Sequence, residues 1–579
     1  MMTLNFELSK EQKDIVSSKG SIKINAVAGS GKTSTVYAYI SQLPTNAKIL
    51  YLAFNKTVKL EAEHKFKNFD NVKVETAHSL AFKNIVYRHQ YKIKPNGYST
   101  SELVKLLHIK NIGEAHSEYI IANHVLKIAL MFCNSIVQKV AELAYEEIIN
   151  EEESLLFYRK HKDKITHYVR VFLAEMNSGK IEIIHDFYLK KFQLDSPILN
   201  YEYVFFDEAQ DASAAMLDVF MKQNAVKIIV GDEHQQIYSW RFAINSLNQA
   251  SYPRFQLSNS YRFGNEIAAL AQCVLDRKKL LSNSYNQIHI NGLGKSKQIK
   301  TKAIIARTNL SLLLKAIEYV NEKEHIDAIY FEGNLNSYTY ADEGASLYDI
   351  LNLSAGKIHK IKDPLIRSLQ SLEALEEYID KTDDVQLKMM LELVNEYGYE
   401  IYDILKLLKE KHVADNERDK AQIVFSTVHK CKGMEYDQVQ ILHDFLTEDK
   451  LRILKQSGEV PDIKLNEEIN LLYVAITRTK NTLIIPEEYL PTDFPEHKNI
   501  IVISNAKTKS AKNEIQKVTE TKKTQSKSIE SQTSWSLTHD RELRRMYFSG
   551  ISMNDISKNL NKTKSSIAQR IKYLKLDVA

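Results

Sequence analysis

AVAGSGKT, Ala26 to Thr33, follows the apolar run IKINAV (22–27) and opens a helical stretch. It meets the pattern G-x-x-x-x-G-K-[ST], except that Ala26 stands in the first glycine position. Strand, glycine-rich turn and helix in that order make a phosphate-binding loop. Backbone N–H groups of such a loop cradle a phosphate, and the helix N-terminus adds positive potential. The expected ATP-binding segment is Ala26, Val27, Ala28, Gly29, Ser30, Gly31, Lys32, Thr33 and Ser34. Lys32 is expected to reach the β- and γ-phosphates, and the Thr33 hydroxyl to bind Mg²⁺. ATP and Mg²⁺ are therefore the expected cofactors.

Outward from this loop the βα pattern of a parallel sheet continues. KILYLAF (48–54), YVFFDE (203–208) and VKIIVGD (226–232) are short apolar runs. A second set is AIIART (303–308), IVFSTV (423–428), DQVQIL (437–442) and TLIIP (482–486). Between them, 100–198 and 331–420 carry apolar residues at helical spacing with few breakers, and they read as helical insertions. In YVFFDEAQD, Asp207 emerges after four apolar residues at the carboxyl end of a strand. That position suits a Mg²⁺ ligand beside the phosphates, and Glu208 is placed to activate a water.

Composition excludes several classes. Of 579 residues, 44% are apolar and 26% charged, as in ordinary globular proteins. Only 17 Gly and 9 Pro are present, too few for a collagen-like or Pro/Gly-rich disordered chain. Three cysteines without a CxxC pair argue against a disulfide scaffold or a Cys-rich zinc site, and fit a reducing compartment. No apolar run approaches the roughly 18 residues that span a bilayer. The N-terminus lacks a secretory apolar region, so a cytoplasmic protein is expected, nucleoid-associated if the host is prokaryotic. The net charge of +5 is uneven: residues 505–579 hold 16 Lys and Arg against 7 Asp and Glu, so the rest is slightly acidic. A basic tail suits a polyanion or simply aids solubility.

The order of strings then defines a resemblance. DEAQD (207–211), GDEHQQIYSWR (231–241), SYR (260–262), STVHKCKGMEY (426–436) and EEINLLYVAITR (467–478), with Gln12 upstream, resemble superfamily 1 helicases of the UvrD/Rep type. AFNKTVKLEAEHKF (53–66), ETAHSLAF (75–82), HKIKDPLIRSL (359–369) and FSTVHKCKGMEYDQVQILHDF (425–445) are similar to the F-box DNA helicases. Only seven residues precede Leu8, so no F-box is expected here. The resemblance implies an α/β fold of two RecA-like parallel-sheet P-loop cores with helical insertions, plus a small all-α helix-turn-helix at the C-terminus. The expected division is core 1A at 1–99 and 190–266, insertion 1B at 100–189, core 2A at 267–330 and 418–504, and insertion 2B at 331–417. A Lys/Ser/Thr-rich linker at 505–533 and a helix-turn-helix at 534–579 follow.

By the same resemblance, Gln12 reads adenine, Tyr261 stacks on it and Glu435 accepts from the ribose. Gln235 senses the γ-phosphate, and Arg262 and Arg478 reach that phosphate from the second core's side of the cleft. Such guanidinium donors stabilise charge on a phosphoryl group in transfer. Ser34 departs from the arginine common in UvrD-type enzymes, which implies weaker base selectivity. The matching nucleic-acid positions are Phe54, Asn55, His78, Tyr238, Trp240, Arg241, Thr427 and His429, with His429 beside Lys430 and Lys432 in a phosphate-facing loop.

At the C-terminus, Trp535, Leu543, Tyr547, Ile556, Leu560, Ile567, Ile571 and Leu574 fall on a helical period. Gly550, Ser552, Asp555 and Thr563 supply caps, and Lys564, Arg570, Lys572 and Lys575 supply charge. This looks like a Myb-type helix-turn-helix for a major groove, or a docking bundle. The implied activity is a 3′→5′ DNA helicase or single-strand translocase in repair, recombination or replication. Its expected partners are single-stranded DNA and DNA junctions, with duplex DNA through the C-terminal module and no membrane. A translocase that strips proteins from DNA, an ATP-gated DNA-binding regulator and an RNA helicase remain as alternatives, though intact Glu208, Gln235 and Arg478 argue against the regulator.

Overall fold

The computed structural model describes residues 7–504 except 240–241, 283–284, 286–287, 296–297, 323–325, 334, 340–344, 399 and 459, and beyond 504 only 543, 546, 553–560, 562, 567, 570 and 571. The chain divides into two compact units, Met1–Ile503 and Ser504–Ala579.

The first unit is built on two six-stranded parallel sheets. One contains β1 (Ile22–Ala26), β2 (Ile49–Ala53), β3 (Val72–Thr76), β4 (Tyr203–Phe206), β5 (Val226–Gly231) and β6 (Arg254–Leu257), in the order β3-β2-β4-β5-β1-β6. The pair β7 (Asn259–Ser260) and β8 (Asn291–Gly292) follows. The second sheet contains β9 (Lys302–Ala306), β10 (Ile329–Phe331), β11 (Ile423–Thr427), β12 (Tyr436–Ile441), β13 (Thr479–Pro486) and β14 (Ile500–Ile503), in the order β10-β11-β9-β12-β13-β14. Register is set through the central strands: Ile24 lies between Val230 and Phe255, and Ile304 between Phe425 and Gln440.

The interior strands are apolar because both faces are covered. All five residues of β2 and of β11 are buried. Burying one such Ile, Leu or Val fully contributes about 1.5–3 kcal/mol. Four strands that apolar runs do not pick out, β3, β6, β10 and β14, take the four outer positions of the sheets. An outer strand bonds on one side only, so it tolerates polar content and short length. VKVET and RFQL are mixed, IYF has three residues, and β14 leaves Ile501 and Val502 exposed.

The stretch 100–198 folds into the α-helices Thr100–Leu106, Ser117–Asn134, Glu152–Asn177 and His185–Asp195 with short 3-10 turns. The last of these runs through the expected boundary at 189. The stretch 331–420 contributes Leu347–Ser354, Pro364–Leu369, Leu372–Thr382, Val385–Tyr397 and Glu400–Lys411 among others. The two helical segments share an apolar core, in which Ile121, Val125 and Phe157 belong with Leu375, Tyr378 and Ile379. Lys127 joins them: its ammonium donates to the carbonyls of Thr382 at 2.6 Å and Asp383 at 3.2 Å, and burial lowers its pKa. The Asp383 carboxylate accepts from the Asn150 amide at 2.8 Å. Among the described residues, no helix is long and apolar enough to cross a membrane.

In the second unit, the helix Met553–Leu560 buries Ile556 and Leu560 with Leu543, Met546, Ile567 and Ile571. Trp535, Tyr547, Leu574, the caps Gly550, Ser552 and Thr563, and the cations Lys564, Lys572 and Lys575 lie outside the described residues, as does the side chain of Asp555.

Lys127→Met should leave two carbonyls at the contact between the helical segments without their donor. Each such loss costs about 1–3 kcal/mol. Amide exchange in the helix Leu372–Thr382 should then speed up about ten-fold; unchanged exchange would show that this contact carries no stability.

Candidate functional site

The loop from Val27 to Gly31 turns β1 into the helix Lys32–Ser41. Gly29 (φ +74) and Gly31 (φ +79) adopt left-handed backbone, which glycine takes without a steric penalty. Gly31 caps the helix without a side-chain bond, so the first-turn N–H groups remain available to a ligand. Gly29 is also needed for space. A Cβ there would lie 2.6 Å from Arg262 Cβ and 2.9 Å from Ser260 Oγ, while the Gly29 carbonyl accepts the Tyr261 N–H at 2.9 Å.

Asp207 and Glu208 follow β4 beside this loop. Lys32 Nζ meets Glu208 Oε1 at 2.6 Å. Burial alone would lower the Lys32 pKa, but the carboxylates of Glu208, Asp207 and Asp232 outweigh it and raise it. Burial likewise pushes Glu208 upward, and Lys32 with Lys432 overcomes that, bringing it to about 2. Asp207 moves the other way, raised by burial and by the Glu208 charge, and its carboxylate takes a short bond from the Tyr51 hydroxyl. Glu208 has φ +50, and holding a non-glycine residue there costs about 1–3 kcal/mol.

The second core closes the other side. Arg478 is buried: its Nε donates to the Val474 carbonyl at 3.1 Å and its Nη2 to Gln235 Oε1 at 3.3 Å. Gln235 Nε2 donates to Asp232 at 2.7 Å, and the Tyr473 hydroxyl donates to the same carboxylate oxygen at 3.1 Å. Arg262 has its backbone against the first core's loop and its side chain across the cleft, bonded to Glu435 at 3.0 Å and the Thr477 carbonyl at 2.9 Å. Burial and the Arg478 charge lower Arg262 to about 10 against the pull of Glu435. Lys32, Asp207, Glu208, Gln235, Arg262 and Arg478 thus line one cavity of about 320 Å³ between the two sheets.

The remaining expected nucleotide contacts are arranged around it. Thr33 and Ser34 line the cavity, with Lys65 Nζ on Ser34 Oγ at 3.3 Å. Gln12 is buried; it accepts the Ser9 N–H at 3.0 Å and donates to Thr35 Oγ1 at 3.0 Å. The Tyr261 ring is half exposed. Glu435 is held by Arg262.

Several residues join the site that motif reading left without a role. Lys432 reaches into the cavity, forms a short ion pair with Asp211 and donates to the Gln235 carbonyl at 2.6 Å. It thereby braces the two cores together. Burial raises Asp211 to about 6, against Lys432. Tyr473, Asp232 and Tyr51 were likewise unassigned, although the first two lie inside the quoted motifs.

Of the expected nucleic-acid residues, Phe54 and Tyr238 stack at 6.1 Å between ring centres. The Tyr238 hydroxyl donates to the His429 carbonyl at 2.9 Å, and His429 Nε2 lies 2.9 Å from the Ile237 carbonyl. Asn55 caps the helix Lys56–Phe66 through the Val58 N–H. Thr427 is buried at the end of β11. His78 sits edge-on to Tyr188. Trp240 and Arg241 lie outside the described residues.

A magnesium nucleotide fits this chemistry. The buried Ser30 hydroxyl has no bonding partner, the helix N-terminus is uncapped by any side chain, and five Lys and Arg side chains line the cavity with four carboxylates. Among the described residues no group of three or more His, Cys, Asp or Glu could hold a metal alone. A divalent ion would take Thr33 and Asp207 together with phosphate oxygens, as Mg²⁺ commonly does.

Fold and cavity define a P-loop protein with two parallel-sheet cores. Residues 8–256 match the UvrD/REP helicase N-terminal domain. The chain is 30% identical over 538 residues to "F-box DNA helicase 1" of Gallus gallus, covering 85% of this chain and 50% of that protein. It is 28% identical over 520 residues to "F-box DNA helicase protein 1" of Schizosaccharomyces pombe, covering 83% and 57%. It is 20% identical over 601 residues to a "Probable DNA helicase II homolog" of Mycoplasma genitalium, covering 83% and 84%. The chain thus spans about half the length of the two F-box helicases it matches.

Gly29→Ala should press a methyl into Arg262 and force a left-handed alanine. Titration with a fluorescent ATP analogue should show affinity reduced about ten-fold or more, the effect of losing about 1.4 kcal/mol. Wild-type affinity would show that the loop tolerates the added carbon.

Proposed function

We propose that this chain is an ATP- and Mg²⁺-dependent DNA helicase that moves along single-stranded DNA. The observation that carries this reading is the gathering of Lys32, Asp207, Glu208, Gln235, Arg262 and Arg478 around one cavity between two cores. In this reading the cores are 1–99 with 190–266 and 267–330 with 418–504, and the helical segments 100–189 and 331–417 are their insertions.

The first-turn N–H groups and Lys32 hold the phosphates. Mg²⁺ on Thr33 and Asp207 would neutralise charge on the transferring group. Incoming phosphate oxygens draw Lys32 away from Glu208, and that exchange frees the Glu208 carboxylate to orient a water and take its proton. Burial keeps these charges in a low-dielectric setting, where they act most strongly. Arg262 and Arg478 meet the γ-phosphate, and Gln235 passes its presence to Asp232 and Tyr473 across the cleft. Gln12, Tyr261 and Glu435 bind base and ribose once Arg262 leaves Glu435.

Phe54, Asn55, His78, Tyr238, Trp240, Arg241, Thr427 and His429 form the strand track, where aromatic faces stack bases. The 3′→5′ direction, and a place in repair, recombination or replication at gaps and junctions, rest on the family resemblance. The basic C-terminal unit is read as a helix-turn-helix on duplex DNA, in a nucleoid-associated protein if the host is prokaryotic.

The test is ATP hydrolysis without nucleic acid, with single-stranded DNA, with duplex and with RNA, followed by unwinding of 3′- and 5′-tailed duplexes. Stimulation by single-stranded DNA and loss in Glu208→Gln are expected, and flat turnover would overturn the motor reading. Lys32→Ala should reduce turnover by about 10²–10³ or more while single-strand affinity stays within about two-fold of wild type; equal turnover would remove the phosphate-loop role. Deleting 505–579 should keep strand-stimulated turnover and weaken duplex affinity at matched salt. Unchanged duplex affinity would refute the duplex role.

A further inference from the structure

The segment 232–238 leaves β5 and runs from the nucleotide cavity to the Phe54–Tyr238 pair. It is held from both cores. On the first-core side, Glu233 Oε1 accepts from Asn25 Nδ2 of β1 at 2.9 Å and from Arg254 Nη2 of β6 at 2.6 Å. The Glu233 N–H donates to Asn25 Oδ1 at 3.1 Å. The next residue, His234, has a buried ring that meets the Tyr473 ring edge-on at 6.1 Å. Its Nδ1 lies 2.9 Å from Nζ of Lys278, which is also buried. An ammonium only donates, so Nδ1 accepts and the ring proton sits on Nε2. Nε2 is 3.5 Å from Glu233 Oε1 and has no hydrogen-bonding partner. Burial, with the Lys278 and Arg254 charges, holds His234 well below its usual range, so the ring is neutral. Burial also pulls Lys278 down to about 8, against Glu233 and Asp232.

Lys278 comes from the second core. It sits in the 3-10 turn Arg277–Leu280, which follows the helix Asn265–Asp276. That helix buries Ile267, Leu270 and Val274 in one apolar cluster with Leu465, Ile469 and Leu472 of the helix Asp462–Ile476. Its 12 residues make a rod of about 18 Å. Arg262 stands just before the rod, in the nucleotide cavity, and Lys278 just after it. One rigid element therefore links the two side chains. Among the described residues, the Lys278 ammonium has this one hydrogen-bonding partner. Such a pair is costly to bury, and breaking it orphans a charge. It also has one registration: a shift of either core lengthens the bond, whereas an apolar contact slides.

We propose that Lys278 is a positioning residue, which through His234 registers the segment 232–238 against the second core so that an occupied strand track raises ATP turnover. The inference rests on the motor reading above. Nucleotide that draws Arg262 from Glu435 moves one end of the rod, and Lys278 at the other end carries the movement to His234. Gln235, the next residue, lines the nucleotide cavity, and Tyr238, three further on, stacks on Phe54. Neither His234 nor Lys278 lines the nucleotide cavity, so the hydrolytic groups keep their places when the pair is removed.

The experiment measures ATP hydrolysis by the full chain across ATP concentrations, without nucleic acid and with saturating oligo(dT), beside the melting temperature. Lys278→Met should lower strand-stimulated kcat about ten-fold, with unstimulated kcat and the KM for ATP within about two-fold of wild type. His234→Asn, whose amide oxygen replaces Nδ1 as acceptor, should keep stimulation within about two-fold of wild type. The double variant Lys278→Met with His234→Leu exchanges the buried polar pair for apolar groups, so it folds even where a single variant does not. It should recover the wild-type melting temperature and still lack the stimulation. Wild-type stimulation in Lys278→Met or in the double variant, or stimulated and unstimulated rates that fall together, overturns the positioning role while stimulation of the wild type upholds the motor. A wild type that single strands do not stimulate overturns the motor reading itself, and the inference with it.

Discussion

The approach of Tyr261 to Gly29 holds the molecule together at its functional centre. One backbone hydrogen bond of 2.9 Å, possible only because position 29 lacks a side chain, pins the chain leaving the first sheet against the phosphate loop. The next residue, Arg262, is thereby aimed across the cleft at Glu435 and Thr477. Loop shape and arginine placement both follow from this contact.

The electrostatics of the cavity suit a polyanion with a divalent cation. Lys32 and Glu208 satisfy each other, and Arg262 borrows Glu435 while feeling Arg478 nearby. Asp207 and Asp211 are both raised by burial. Buried like charges and exchanged partners are costly, and a polyphosphate with a divalent cation relieves both. Arg262 with Glu435 and Arg478 with Gln235 bridge the two cores, whereas Lys32 with Glu208 and Asp207 with Tyr51 pair within the first.

The sequence makes some of this legible for definite reasons. β1, β2, β4 and β5 are apolar runs because both their faces are covered, and the phosphate loop is contiguous. The outer strands β3 and β6 escape because a strand bonded on one side needs no uniform apolar character, and β10 and β14 because, although apolar, they are only three and four residues long. At the site, Lys32, Asp207 and Glu208 are readable from local context. Lys432 with Asp211 and Tyr473 with Asp232 are not, since these partners are 221 and 241 residues apart. No local pattern encodes a pair whose members meet only after two sheets and two helical segments have folded.

The shared core of the helical segments limits how the two sheets can move. Each segment is joined to its own sheet by apolar packing, and Lys127 with Asp383 joins the segments to each other. The sheets are therefore linked twice, at the nucleotide cleft and at this remote bridge. A movement that opens the nucleotide cleft must therefore swing about the remote bridge or break it.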